Sequence, residues 1–476
     1  MTTGLPLHSL AAAGDAPPGA APSGGKLTRL NGIALVISLQ IGSGIFTVPS
    51  LVARSVATPG AGVAAWLLGG LLVWTGAASF IELGLRIPAN GGILEYMRRC
   101  YGDAAGFLFA WAWVLMAKPA TNAIIATIFA DYITRPFVAG GSASASLLTT
   151  VALACVGLLT FINGRGATAG ASMANKFLVV KLSAVGLIAV VGCLYFVTGK
   201  GAGVAASGAG WFGEPLGQEP VDAWSSVGEF VTALFGALFC YGGWETLGFV
   251  LGDMKDPEGD LSYVINGSMT TVITGFVLLN AALYTCLPMD VMRASRTVSV
   301  EFARQTLGEW GGVLLCVMVS ISAMGALNAN IFSTAKIAVT ASEVGYFPAI
   351  LANLHCKSAK DESAFALVLN GVLTSLYVLV GSVGGLVPFI GATEYTFFFA
   401  STVGLLILRR MDAVRPSPVT YRTWTGNPLI FSAVSALLVI RALVSEPSLG
   451  LAIVGAGLAG MGVFRLTFAG KGSVGV

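Results

Sequence analysis

Apolar runs about as long as a membrane is thick recur along the whole chain, and they limit the fold more than any single motif. Of the 476 residues, 55% are hydrophobic and only 10% are charged. A soluble domain carries about 25% charged residues, so this chain has too few to cover a water-facing surface. About 20 apolar residues span hydrocarbon as an α-helix, whereas the strands of a barrel alternate over about 10 residues. The sequence therefore predicts an all-α integral membrane protein embedded in a lipid bilayer.

Twelve membrane-spanning helices are predicted from these runs. Their bounds are 30–54, 62–87, 104–134, 147–164, 175–198, 223–252, 264–287, 311–342, 364–384, 386–409, 427–444 and 447–467. An even number of spans puts both termini on one side of the membrane, and Lys and Arg concentrate in cytoplasmic loops. With the termini inside, sixteen of the 26 Lys and Arg are cytoplasmic and seven are external. We therefore predict cytoplasmic termini, although the external loop 288–310, with three arginines, argues against this orientation.

The chain divides into three predicted regions. Residues 1–28 are rich in Ala, Gly and Pro and lack the basic start and apolar core of a signal peptide, so we expect a disordered cytoplasmic tail. Residues 29–411 hold the first ten spans and form the predicted core. Residues 412–476 hold the last two spans and a short cytoplasmic tail.

Composition also argues against several classes of function. The net charge of +3 gives no reason to expect a nucleic acid partner. The seven cysteines show no CxxC or metal-like spacing, and the two histidines join no cluster of cysteine or acidic residues. No Ser/His/Asp grouping indicates a nucleophile. We therefore expect no metal, no cofactor and no enzymatic activity.

Two of the spans are interrupted by glycine. The first contains LQIGSGIFTVPS at residues 39–50, and the sixth contains FCYGGWE at residues 239–245. Irregular backbone inside a membrane is tolerated only where protein buries it or a cavity solvates it. Broken helices at corresponding positions of two halves are typical of inverted-repeat transporters. We therefore predict that helices 1–5 and 6–10 form the two repeats, with helices 11 and 12 appended.

The chemistry of a broken helix indicates what it could bind. Free amide groups at the start of the second half-helix attract an anion, and free carbonyl groups at the end of the first attract a cation. A substrate with a carboxylate and an ammonium group on one carbon satisfies both. Gly42, Ser43 and Gly44 suit the anion end, because small side chains let a carboxylate reach the backbone. The alternative is that these glycines serve helix packing, as in small-xxx-small motifs.

Several motifs together resemble one known family. IGSGIF followed by a proline resembles helix 1 of the amino acid–polyamine–organocation superfamily, and LFCYGGWETLGFVLGDMKDP is similar to helix 6 of its L-type amino acid transporter family. IELGLRIPANGGILEYMRRCYG, LMAKPATNAIIATIFADYITRPF and ALNANIFSTAKIAVTASEVGYFP resemble that family's helices 2, 3 and 8. The resemblance runs in order over residues 28–411. It implies the LeuT-type 5+5 inverted-repeat fold with broken helices 1 and 6, and transport of L-amino acids across the plasma membrane by alternating access.

The resemblance also implies a substrate site. Backbone amides of Ser43 and Gly44 would meet the carboxylate, and carbonyls of Gln40, Phe239 and Gly242 would meet the ammonium group. Phe239 would also close over the substrate as an outer gate. Trp244 and Glu245 would border the side-chain pocket. The predicted substrate-binding residues are Gln40, Gly42, Ser43, Gly44, Ile45, Phe239, Tyr241, Gly242, Gly243, Trp244, Glu245 and Asn330.

Two charged residues are predicted to take part in coupling. Lys181 matches a helix 5 lysine of many relatives and would stand where sodium-coupled members place a cation, which would make sodium unnecessary; the alternative is a side chain that reaches for the membrane surface. Glu245 departs from the neutral residue usual after the helix 6 tryptophan. It could recognise a cationic substrate, carry a proton or pair with a protein cation. Glu394 likewise replaces a residue that is usually uncharged.

The predicted function is transport of neutral, fairly large L-amino acids such as methionine, branched or aromatic ones, because aromatic residues dominate the predicted pocket. The transporter would be a sodium-independent exchanger or a proton-coupled permease. Glu245 keeps a cationic amino acid or polyamine transporter open, and an amino-acid-sensing receptor on the same fold is a further alternative. Animal relatives carry a cysteine in the loop after helix 3 for a disulfide to a heavy chain. Residues 133–146 contain none, so we expect no disulfide-linked heavy chain.

Overall fold

The computed structural model of the chain is almost entirely helical. It describes residues 27–138, 143–164, 167–204, 210–213, 223–295, 297–352, 364–381, 383–412, 421–445 and 447–468. Across these ranges the only β-type pairing is an isolated parallel bridge between Leu27 and Met254. Of the predicted tail 1–28, residues 1–26 lie outside the described residues.

Twelve helical segments follow the predicted order, and we number them α1 to α12. Two of them, α1 and α6, are broken into halves a and b. The segments are α1a (Arg29–Gln40), α1b (Gly44–Thr47 continuing as Pro49–Arg54), α2 (Pro59–Arg86), α3 (Asp103–Ala112 continuing through a π-helical turn into Lys118–Thr134), α4 (Ala145–Gly164), α5 (Ala167–Thr198), α6a (Ala223–Cys240), α6b (Trp244–Asp253), α7 (Pro257–Cys286), α8 (Val298–Glu343), α9 (Ala364–Val380), α10 (Val383–Met411), α11 (Gly426–Ser445) and α12 (Pro447–Phe468).

Eleven helices in the described ranges are long and apolar enough to cross a membrane. The segment that falls short is α9, which is apolar but only 17 residues long. At 1.5 Å per residue it rises about 25 Å, slightly less than the hydrocarbon thickness. The all-α membrane fold is thus confirmed, whereas the count of twelve spans remains a prediction.

Three helices begin well before their predicted bounds. The fifth begins at Ala167 rather than near residue 175. The seventh begins at Pro257 rather than near residue 264, because the Asp256 side chain accepts a hydrogen bond from the Gly259 amide and caps the helix start. The eighth extends back to Val298 across a kink at Gly308, whose φ of 76° is the left-handed conformation that glycine adopts without strain. Part of the predicted external loop is therefore helical.

The helices pack in pairs that obey the predicted two-fold relation between repeats. The α1 helix packs against α7, and the corresponding pair in the second repeat is α6 against α2. In the same way α5 packs against α8 while α10 packs against α3, and α4 packs against α8 while α9 packs against α3. Each contact is matched by the contact expected when five is added to or subtracted from both helix numbers. This arrangement is the 5+5 inverted repeat, and it brings the two broken helices to the centre.

Backbone pairing ties the two broken helices together on the side of the membrane where α1 begins, which we call the near side. Leu27 donates from its amide to the Asp253 carbonyl (3.0 Å) and accepts from the Lys255 amide (3.1 Å). The Asp253 carboxylate lies 3.1 Å from Lys336 Nζ on α8, and Asn90 accepts a hydrogen bond from the Gly252 amide (2.8 Å). The near-side end of α6b is therefore held by α1, α8 and the segment after α2.

A second near-side network joins α2 to α10. Glu82 is fully buried and binds Arg409 (Nε–Oε1, 3.0 Å) and Arg86 (Nη2–Oε1, 2.9 Å). It also accepts a hydrogen bond from the Thr423 amide (2.8 Å), and Arg86 continues to Asp412 (2.8 Å). Buried charge is tolerated here because every carboxylate oxygen has a charged or amide partner.

Candidate substrate and coupling site

The break in α1 leaves backbone donors free at the centre of the protein. The last α-helical bond of α1a runs from the Ile41 amide to the Ile37 carbonyl (2.8 Å), and the Gly42 amide turns to Gln40 (2.9 Å). Helical pairing resumes when the Phe46 amide reaches the Ser43 carbonyl (3.2 Å). Between these points, the amides of Ser43, Gly44 and Ile45 have no hydrogen-bond partner in the described part of the chain. Three free N–H groups at the start of a half-helix form an anion-binding position.

The break in α6 lies against the break in α1. Gly243 has φ of 110°, and a Cβ built there would lie 2.8 Å from Leu39 Cβ. Glycine is therefore required at position 243 both by the backbone conformation and by the close approach of the two broken segments. The Gly242 amide makes only a long bond to the Phe239 carbonyl (3.4 Å), and Phe239 itself is half-buried.

Gln40 connects the two breaks through its side chain. Its Nε2 donates to the Tyr241 carbonyl (3.1 Å) and contacts Met269 Sδ on α7 (3.2 Å). Its Oε1 is buried without a partner among the described residues. The sequence predicted a role for the Gln40 carbonyl only. That carbonyl accepts the Gly42 amide within the α1 break, so the residue reaches the α6 break through its side chain alone.

The Tyr241 side chain points away from the space between the breaks. Its hydroxyl donates to the Trp66 carbonyl on α2 (2.9 Å), and its ring centroid lies 4.9 Å from that of Phe276 on α7. Only the backbone of this predicted binding residue faces the α1 break.

Trp244 is enclosed in an aromatic cluster. Ring centroids of Phe80 on α2, Phe398 on α10 and Phe431 on α11 lie 4.8, 5.4 and 5.8 Å from its own. The indole is 1% exposed, so it forms a buried wall behind the α6 break.

Helix α8 covers the α1 break from the other side. Ser322 Oγ donates to the Ile41 carbonyl (3.4 Å), and a Cβ on Gly42 would lie 3.7 Å from Ala326 Cβ. Asn330 lies one turn beyond Ala326 on the same helix face and is nearly buried. The structure thus brings Asn330 to the face of α8 that meets α1, one turn nearer to the near side than Gly42.

Lys181 is fully buried and reaches α1. Its ammonium group donates to the Ser38 carbonyl, and a Cβ on Gly325 of α8 would lie 3.1 Å from Lys181 Cε. In an unbroken helix the Ser38 carbonyl would pair with the Gly42 amide. The side chain therefore does not extend to the membrane surface, and it occupies the carbonyl that the break leaves free.

Glu245 lies beside a cation that the sequence did not assign to it. Lys118 Nζ on α3 is 3.3 Å from Glu245 Oε1 and 3.0 Å from Glu394 Oε1 on α10. Glu245 Oε2 also accepts the Gly243 amide (2.8 Å), which links this ion cluster to the α6 break. Among the three predicted roles of Glu245, pairing with a protein cation is the one the geometry displays.

The ion cluster was not predicted from the sequence, because it forms only when three separate helices pack together. No sequence spacing relates Lys118, Glu245 and Glu394, which lie on three helices. The signal that could have found them is the rarity of charge inside spans, because buried charges in a membrane pair with one another.

A cavity of about 550 Å³ between α4 and α9 has no lining residue from α1 or α6, so it is separate from the breaks.

Comparison with known families decides what class of protein carries this site. The family described as "Amino acid permease" matches residues 27–458, which is most of the chain. The chain belongs to the amino acid permease family.

This permease is also similar to individual animal transporters. It is 28% identical to the large neutral amino acids transporter small subunit 2 of Homo sapiens, over 95% of this chain and 83% of the relative. The protein of the same name from Oryctolagus cuniculus is 28% identical over 93% and 80% of the two chains. The b(0,+)-type amino acid transporter 1 of Homo sapiens is 25% identical over 89% and 83%.

These findings confirm the predicted family and the class of function. The permease is a multi-pass membrane protein that transports amino acids and is not an enzyme.

Proposed function

We propose that this permease carries neutral, fairly large L-amino acids by alternating access without sodium. The observation that carries the proposal is the juxtaposition of the two breaks, because free amides of α1 and loosely bonded carbonyls of α6 match the two charges of an amino acid zwitterion. The substrate carboxylate would bind the amides of Ser43 and Gly44. The ammonium group would bind the carbonyls of Gln40, Phe239 and Gly242.

Sodium independence is supported by Lys181. Its fixed ammonium group contacts the Ser38 carbonyl at the end of α1a, where a bound cation would otherwise balance the local dipole. A sodium ion in the same position would face a like charge. We therefore assign to Lys181 the role of a substitute for that ion.

Neutral substrates are favoured by the state of Glu245. One oxygen of its carboxylate contacts Lys118 and the other accepts the Gly243 amide, so neither is open to a cationic substrate side chain. Together with the half-buried Phe239, this arrangement favours an apolar side chain. The family relatives named for large neutral amino acids point in the same direction.

We also propose the following arrangement in the cell. The near side, to which most Lys and Arg are assigned, would be the cytoplasm and would hold both termini, and the membrane would be the plasma membrane. Residues 29–411 would form the transport core, with 412–476 as an accessory region and 1–28 as a tail. No disulfide-linked heavy chain is proposed, because the loop after α3 has no cysteine.

Uptake by purified protein in proteoliposomes tests the proposal. Labelled leucine and methionine should enter at equal rates in sodium and in choline buffer, and arginine should enter poorly. Gly44→Val should abolish uptake, since its side chain would meet Cys240 Sγ 3.3 Å away and cover the free amides. Gly267→Val is the matched control, because nothing lies within 4 Å of a Cβ at Gly267. Sodium-dependent uptake, or an active Gly44→Val protein, would refute the proposal.

A further inference from the structure

The charges of the ion cluster at the centre of the protein do not cancel. Glu245, Lys118 and Glu394 supply two carboxylates and one ammonium group, and their side chains are 1%, 5% and 15% exposed. If all three are ionised, the cluster carries one uncompensated negative charge. Isolated charge is expensive in such a setting, so a further positive charge must bind there or one carboxylate must be neutral.

No other charged side chain of the described residues pairs with the cluster. Lys118 comes from α3, Glu245 from α6b and Glu394 from α10. The remaining titratable neighbour is the adjacent Tyr395, which is 9% exposed and packs on Phe398 and Phe431. The ring of Trp113 lies 4.6 Å from the Lys118 ammonium and attracts it, but a neutral ring does not change the net charge of the cluster. The missing positive charge must therefore come from solvent or substrate.

The space beside Glu245 favours the smallest cation. The cavity that Glu245 lines has a volume of about 10 Å³ and lies between α2, α6b, α7 and the short helix Ile93–Tyr101 that follows α2. That is about the space of one water molecule. A guanidinium or aminobutyl group does not fit, whereas a proton needs no volume. The other lining residues are mainly apolar, namely Phe80, Gly84, Tyr96, Trp244, Gly248, Leu251, Leu261 and Ile265.

We propose that Glu245 and Glu394, held on either side of Lys118, form a proton-binding site that couples proton movement to amino acid transport. The inference rests on the proposed function and deepens it. One proton from solvent binds a carboxylate oxygen, the cluster becomes neutral, and the same proton leaves to the other side after the conformational change. No covalent bond between heavy atoms forms or breaks. Glu394 is the entry point, since its side chain is the most exposed of the cluster.

The geometry connects the proton to the substrate site. Glu245 accepts the amide of Gly243, the residue at which α6 is broken, and its other oxygen contacts Lys118 on α3. Without a proton, Lys118 is shared between two carboxylates. With Glu394 protonated, Lys118 is free to bind Glu245 alone, which tightens α6b against α3. The proton therefore acts on the same backbone that is proposed to bind the amino acid.

The test uses the purified full chain in proteoliposomes, with labelled leucine as the probe and pyranine as an internal pH dye. A gradient of one pH unit, acidic outside, supports about tenfold accumulation per coupled proton. We expect leucine to accumulate on that scale and the lumen to acidify during uptake. Glu394→Gln should abolish both effects while leucine-for-leucine exchange continues, because the neutral Lys118–Glu245 pair remains. Glu394→Asp should retain coupling. Glu309→Gln is the matched control, since Glu309 is 84% exposed and remote from the breaks.

Each outcome has a distinct meaning. Leucine exchange by the native protein without pH-driven accumulation or lumenal acidification would overturn the proton site and leave the proposed function intact. Coupling that persists in Glu394→Gln would also overturn it. Arginine uptake that is lost in Glu394→Gln, without proton movement, would replace the proton by a cationic substrate. Absence of any amino acid movement by the native protein would refute the proposed function itself.

Discussion

The ammonium group of Lys181 on α5 donates a hydrogen bond to the carbonyl of Ser38 on α1a, the group that the Gly42 amide would bind in an unbroken helix. One side chain thus replaces the backbone bond that the break removes. This contact fixes the end of α1a directly below the free amides of Ser43 and Gly44. Its loss is expected to affect both the stability of the protein and the position of those amides.

Lys181→Met tests this relationship. The variant keeps most of the side-chain volume but leaves the buried Ser38 carbonyl unpaired, which costs about 1–3 kcal/mol. We expect a lower melting temperature in detergent and a loss of leucine uptake of about tenfold or more, the factor that corresponds to about 1.4 kcal/mol. Lys200→Met, at an exposed lysine after α5, should change neither quantity. Normal uptake by Lys181→Met would show that the contact is dispensable.

Gly243→Ala should damage the substrate site through the backbone. Its φ of 110° is unfavourable for an L-residue with a Cβ, and that Cβ would lie 2.8 Å from Leu39 Cβ. Left-handed backbone alone costs about 1–2 kcal/mol for alanine, and the clash adds to it by moving the two breaks apart. Leucine binding, measured by scintillation proximity, should weaken at least tenfold. Gly267→Ala provides the control, and equal affinity in the two variants would contradict the close approach of the breaks.

The Glu82 network predicts a contrast between buried and exposed ion pairs. Arg409→Met removes the bidentate partner of the fully buried Glu82 carboxylate but leaves Arg86 and the Thr423 amide bound to it. We therefore expect a cost above about 1 kcal/mol and below the about 3–5 kcal/mol of a buried charge with no partner left. The Arg304–Glu309 pair is exposed, and Glu309→Gln should cost less than about 1 kcal/mol. Thermal unfolding of both variants in the same detergent measures the difference. Similar melting temperatures would show that the network contributes little.

Tyr241→Phe separates the structural role of this tyrosine from substrate recognition. Removal of the hydroxyl deletes the bond to the Trp66 carbonyl and costs about 1 kcal/mol. The ratio of leucine to methionine uptake should stay unchanged, because the ring packs between α2 and α7. An altered ratio would mean that the hydroxyl reaches the substrate in some state of the transport cycle.

The sequence was sufficient for the architecture and for the two breaks. Glycine, serine and proline inside an apolar run indicate a broken helix in a membrane protein. The structure has its breaks at residues 41–43 and 241–243, within the two runs where these residues occur. The direction of side chains at those breaks could not be predicted. Helical periodicity fixes side-chain direction only within regular helix, and Tyr241 lies just beyond the end of α6a.

Partners of buried charges were equally beyond the sequence. The rarity of charge within the spans marked Glu245 and Glu394 as unusual. Lys118 is a third charge within a span, in the motif that resembles helix 3. Their association depends on how α3, α6 and α10 pack in three dimensions. The start of α7 at Pro257 was missed for a different reason. The predicted span began where the apolar run begins, whereas the Asp256 cap starts the helix several residues earlier.

The pairing of Leu27 with Asp253 and Lys255 has a mechanical consequence. Two backbone hydrogen bonds hold the first described residue of the chain to the end of α6b. We therefore expect the near-side halves of the two broken helices, α1a and α6b, to move as one rigid unit. A spin label at residue 27 and another at residue 254 would keep a constant separation throughout the transport cycle. The hinge of the motion would then lie at the glycines themselves, and a force applied to the N-terminus would be transmitted directly to the point where the two helices are broken.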